Sequence, residues 1–117
     1  MLSALAVLSS AGAQQRDPGE RAFQKCYSCH SVDPDEAGLS GPNLFGVVGR
    51  RAAALAGFQY SPAMKRAAAG GLVWTEEALD RYLADPLETI SGTAMSFPGV
   101  RSAEERQAII AYLKRFR

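Results

Sequence analysis

The only two cysteines and the only histidine of this 117-residue chain fall within five consecutive positions, Cys26-Tyr27-Ser28-Cys29-His30. A structural zinc site needs four ligands, usually Cys and His, and the chain has three in all. A disulfide between Cys26 and Cys29 would close a loop too short to stabilise much. A redox dithiol uses C-x-x-C in a strand–helix setting, whereas Cys26 falls at the end of a helical stretch with no parallel sheet in sight. C-x-x-C-H is also the attachment signature of c-type haem. Two thiols three positions apart can add to the two vinyl groups on one haem edge. The adjacent imidazole is then held beneath the iron as an axial ligand. Haem is the favoured reading, with the dithiol and the disulfide as alternatives.

The rest of the chain suits a large apolar cofactor. From Gln14 onward, 21 of 104 residues are Leu, Ile, Val or Phe, against 16 Ala and 10 Gly. That is close to the sparse limit for a globular core, and a small chain has little surplus burial to draw on. Residues 31–58 and 86–100 are rich in Gly and Pro and show no helical or strand period. Loops that long in one small domain make sense when they pack against a bound group. The length implies a single domain. With 13 basic and 12 acidic residues the net charge is +1, so no basic excess points to nucleic acid.

Residues 1–13, MLSALAVLSSAGA, carry no charge and end in Ala-Gly-Ala. They resemble the apolar region and cleavage site of a secretory signal, without its usual positive start, and are too short to span a bilayer. The expectation is a signal peptide or its remnant over 1–13, a mature domain over 14–117 and a periplasmic or equivalent location. A tail without structure is the alternative.

Four helices are expected, in an all-α fold. The first runs from about Pro18 to Cys26. A second starts at Ser61, with Pro62 at its first position, and stops at Gly70-Gly71. A third is capped by Thr75 and ends before Pro86, with Leu79 and Leu83 as its apolar stripe. The fourth carries a capping box, Ser102 with Glu105, and presents Ile109, Leu113 and Phe116 on one face.

With one histidine, two imidazole ligands are excluded. Methionine is the common second ligand in electron-transfer haem proteins, and Lys and Tyr stay open. Met1 lies in the signal-like segment, and Met64 lies in a helix, where Met is more often core filler. Met95 sits in a loop flanked by Gly92 and Gly99, which lets backbone approach a flat ring. Met95 is the preferred ligand and Met64 the second choice.

Taken together, these motifs resemble class I cytochrome c, the family of mitochondrial cytochrome c and its small bacterial relatives. The resemblance covers about Pro18 to Phe116. It rests on Gly19…Phe23…Cys26-x-x-Cys29-His30, Ser40-Gly41-Pro42-Asn43-Leu44, Gly49-Arg50-Arg51, Gly57-Phe58-Gln59-Tyr60-Ser61, Trp74, Tyr82-Leu83-x-x-Pro86, Gly92-Thr93-x-Met95-x-Phe97 and Ile110-Ala111-Tyr112-Leu113-Lys114. It implies a fold wrapped around one haem c, covalent through Cys26 and Cys29. It implies that the Pro42 carbonyl accepts from the His30 Nδ1–H, that Arg50, Tyr60 and Trp74 hold the haem propionates, and that Tyr82 hydrogen-bonds near the Met95 sulfur. Gly19 and Tyr112 match the crossing of the first and last helices. Plainer roles compete: Trp74 as core, Tyr82 as packing, Arg50 as a solvated charge.

The chain departs from the mitochondrial pattern. Ser91 replaces Pro at the start of the Met loop, Leu87 and Ala94 replace Lys, and Met64 replaces Asn. Lys25 and Arg101 remain of the basic ring. The resemblance implies a soluble, monomeric one-electron carrier, not an enzyme. It would shuttle between a quinol–cytochrome c reductase or dehydrogenase and an oxidase-type acceptor, with transient partners and no stable membrane insertion. A catalytic haem protein with an open iron, or a dedicated enzyme subunit, is the alternative.

Overall fold

A computed structural model describes residues 17–117, so the signal-like segment 1–13 lies outside the described residues. Five α-helices follow in order: α1 Pro18–Phe23, α2 Pro62–Ala69, α3 Glu76–Ala84, α4 Pro86–Thr89 and α5 Ala103–Leu113, with a 3₁₀ turn, Gln24–Cys26, continuing α1. Among the described residues there is no strand. One antiparallel bridge pairs Arg51 with Val73.

Local chemistry sets the helix starts. A short polar side chain at each N-cap accepts from an otherwise orphaned amide. Asp17 accepts from Glu20 N at 3.0 Å, Ser61 from Met64 N at 3.1 Å, Thr75 from Ala78 N at 3.1 Å and Ser102 from Glu105 N at 3.2 Å. Pro18 and Pro62 occupy first-turn positions whose missing N–H leaves no bond unmade. α2 ends at Gly70-Gly71, where Gly71 takes φ +95°, a conformation that any side chain would strain.

The core centres on the crossing of α1 and α5, with α3 packed on α5. Phe23 and Ile109 are sealed in it, each stabilising by about 1.5–3 kcal/mol. Gly19 makes the crossing possible. A Cβ there would lie 2.6 Å from the Tyr112 Cβ and 2.5 Å from the Ala108 carbonyl oxygen. The Tyr112 ring packs 5.3 Å from Phe23, and its hydroxyl shares a 2.6 Å hydrogen bond with that of Tyr27.

Three expectations need correction. The stretch after Asp85 opens with a helix, α4, instead of a loop: the Asp85 carboxylate accepts from Glu88 N at 3.2 Å, and Pro86 is its first residue. α5 stops at Leu113, so Phe116 is not on its face but returns against Tyr112, 5.0 Å away. The capping box is half made, because the Glu105 carboxylate turns to Lys25, 2.6 Å away. A full charge offers more than a backbone amide already near water.

Candidate functional site

The Cys26–His30 segment is a tight turn at the end of the first helical stretch. Cys29 N and His30 N both donate to the Cys26 carbonyl, at 3.2 and 3.0 Å. No disulfide joins Cys26 to Cys29. Burial pushes the Cys26 thiol up to about 11, opposed by Lys25 and reinforced by Glu105 and Cys29. A redox dithiol needs the reverse, a stabilised thiolate, which removes physical support from that alternative.

His30 is held by the segment after it. Its Nδ1 lies 2.7 Å from the Pro42 carbonyl, which can only accept. That bond makes Nδ1 the protonated nitrogen and leaves the Nε2 lone pair free to bind a metal. Burial lowers the His30 pKa, with the Pro42 bond opposing, so the ring is held neutral. Gly41 lies against the ring face: a Cβ there would stand 2.7 Å from Nδ1 and 2.9 Å from Nε2. Asn43 locks the turn from both sides. Its Nδ2 donates to the carbonyls of Asp33 and Glu36, at 2.6 and 2.8 Å, and its Oδ1 accepts from Phe45 N at 2.8 Å. Gly41 and Asn43 flank Pro42 in the motif, and sequence reasoning assigned a role only to the proline.

Arg50 is half-buried rather than solvated. Its Nη1 donates to the Phe45 carbonyl at 3.1 Å and its Nη2 to the Asn43 carbonyl at 3.0 Å, so it ties the loop that carries Pro42. Burial lowers its pKa, with the neighbouring Tyr60 opposing. Tyr60 Oη accepts from Leu55 N at 3.1 Å, leaving its own proton to give. Trp74 joins Arg50 through the backbone, with Trp74 N donating to the Arg50 carbonyl at 2.8 Å. Trp74 is 8% exposed. Among the described residues every sealed polar side-chain atom has a partner.

Tyr82 stacks near Trp74, with ring centroids 5.1 Å apart. Its hydroxyl bonds to Thr93 Oγ1 at 2.6 Å, and the same Oγ1 accepts from Met95 N at 3.4 Å. Tyr82 thus acts on the Met95 loop through Thr93, which sequence reasoning did not single out. Burial raises the Tyr82 pKa against the Thr93 bond, so it stays a neutral phenol. Met64 sits in α2, packed against the core.

The donor set fits haem c. There are two thiols three apart, an imidazole with one free nitrogen, and a thioether in a tethered loop. Val32, Leu44, Val48, Leu72, Met95 and Phe97 pack on the core yet remain partly exposed. Residues 17–116 match the profile of the family described as cytochrome c. The chain belongs to the cytochrome c family. Its cofactor is therefore haem c, covalent through Cys26 and Cys29, and it is a cytochrome c-type electron carrier. It is 40% identical over 111 residues to cytochrome c2 of Blastochloris viridis, covering 95% of this chain and 85% of that one. Among solved structures it is similar to cytochrome cH from Methylobacterium extorquens (TM-score 0.74, 39% identity, 84% of this chain and 95% of that one). It is also similar to ferricytochrome c2 from Rhodopseudomonas palustris (TM-score 0.75, 35% identity, 86% and 96%). The all-α expectation holds, with five helices in place of four.

Proposed function

We propose that His30 and Met95 are the axial ligands of the haem iron, and that the protein shuttles single electrons between a respiratory donor and a terminal acceptor. The observation that carries this is the pair of tethers. The imidazole is oriented through Nδ1 by Pro42, and the Met95 loop is fixed through Thr93 by Tyr82. Haem c supplies reversible Fe(III)/Fe(II) exchange at a potential raised by Met/His ligation. The chain's own residues keep both ligands in place, so little rearrangement accompanies a change of oxidation state. Arg50, Tyr60 and Trp74 present donors to the propionates; burying those carboxylates without donors would be costly.

The donor is read as a quinol–cytochrome c reductase or a dehydrogenase and the acceptor as an oxidase. Partners dock transiently over a small area. The apolar segment 1–13 supports a periplasmic site of action. Among the described residues no helix is long and apolar enough to cross a membrane.

The docking face carries little positive charge. Lys25 is paired with Glu105, Leu87 is 62% exposed, and residues 85–98 hold Asp85 and Glu88 but no basic residue. Electron exchange with respiratory membranes of the source organism, followed by stopped flow, tests both the function and this surface. Rapid one-electron exchange is expected. Its rate should change only a few-fold between 0.01 and 0.15 M salt, where the Debye length falls from about 30 to about 8 Å. Absence of exchange would overturn the carrier reading, and a steep fall with salt would overturn the docking surface.

A further inference from the structure

We propose that Arg106 is a positioning residue for the iron's sixth ligand, acting as a clamp on the outgoing end of the Met95 loop. The inference rests on Met95 being that ligand. Arg106 lies in the first turn of α5, yet its side chain is only 14% exposed. Its Nε donates to Asp80 Oδ1 of α3 at 2.7 Å. Its Nη1 donates to the Val100 carbonyl at 2.9 Å and to the Arg101 carbonyl at 3.0 Å. One planar, permanently charged fork thus joins α3, α5 and the strip of chain leaving the Met95 loop.

That strip is fixed on its other side too. Val100 N donates to the Leu83 carbonyl at 2.7 Å, and Val100 is 2% exposed. Gly99, at φ +107°, lies against the end of α3, where a Cβ would meet the Ala84 carbonyl group. The incoming end of the loop is held by Thr93, whose amide donates to the Ile90 carbonyl at 3.0 Å and whose hydroxyl bonds to Tyr82. Between Thr93 and Gly99 the internal support is slight: Met95 N to Thr93 Oγ1 at 3.4 Å and Phe97 N to the Met95 carbonyl at 3.0 Å. A loop carrying a ligand keeps it on the metal only while both ends stay put. The fraction of time the ligand is off is set by how easily either end opens.

Charge-assisted hydrogen bonds to carbonyls are among the stronger polar contacts. Removing the guanidinium leaves the Val100 and Arg101 carbonyls and the Asp80 carboxylate to find water, which favours the opened loop. An outside ligand that competes for the iron reads that opening directly.

The test is the affinity of the ferric holoprotein for imidazole, with amide exchange of Phe97 as a second reading. Arg106→Gln is expected to tighten imidazole binding about tenfold and to speed Phe97 exchange, while Arg106→Lys recovers part of both. Arg115→Gln, which breaks the exposed pair with Asp17 at the far end of α5, should leave both unchanged. In a Met95→Ala background imidazole binds tightly, and Arg106→Gln should add nothing. If Met95→Ala tightens binding but neither Arg106→Gln nor Arg106→Lys does, while melting falls, Arg106 is merely structural and the clamp is overturned. If Met95→Ala itself does not tighten binding, the ligand assignment has failed instead, and the clamp with it.

Discussion

Met95→Ala is expected to give a folded haem protein whose ferric iron binds azide at least about 100-fold more tightly than the parent. A thioether that occupies the sixth position all but a per cent or so of the time reduces outside affinity by that fraction, and deleting it removes the penalty. The loop should survive, because its anchors are elsewhere: Thr93 on Tyr82 and Val100 on Leu83. Met64→Ala is the counterpart. Met64 is partly buried against the core from α2, so its loss should lower stability by about 1–2 kcal/mol without changing azide binding. Azide titrations of the two variants decide between the methionines. The reverse pattern would transfer the ligand role to Met64.

Gly41→Ala is expected to lower stability by ~2–4 kcal/mol and to cut the yield of holoprotein. The added carbon would stand 2.7 and 2.9 Å from the two nitrogens of His30, far inside contact distance. Either the ring swings away, breaking the 2.7 Å bond to Pro42, or the Gly41–Asn43 turn retreats, breaking the bonds that Asn43 makes to Asp33 and Glu36. Overpacking a rigid site costs about 1–3 kcal/mol, and a lost hydrogen bond adds about 1 kcal/mol. Denaturant midpoints and the downfield Nδ1 proton of His30 report the two effects. An unchanged midpoint with that proton in place would show that the close approach has no energetic consequence.

What could be read from the residues alone was mostly what is local. Ser61, Thr75 and Ser102 announce helices because a cap bonds to an amide three residues on. Cys26, Cys29 and His30 announce haem because all three lie in one turn. α4 escaped notice because four residues hold no period, although Asp85-Pro86 is itself a start signal. Glu105 satisfied only half of its expected pattern, since its partner Lys25 lies 80 positions away in sequence. Separation in sequence also hid the supports of the site, 11 positions between Tyr82 and Thr93 and 26 between Arg106 and Asp80. Thr93 under Tyr82, Gly41 against His30 and Arg106 across Asp80 and Val100 are pairings that only the folded chain brings together. Arg50 illustrates a mixed role: a half-buried side chain whose fork stitches its own loop through Asn43 and Phe45.

The account turns on what the iron touches. X-ray absorption at the iron edge of the ferric holoprotein measures that without reference to partners or rates. A first shell of five nitrogens and one sulfur, with the sulfur lost in Met95→Ala and kept in Met64→Ala, is the result expected. A shell with no sulfur, or with a sulfur that persists in Met95→Ala, would contradict it.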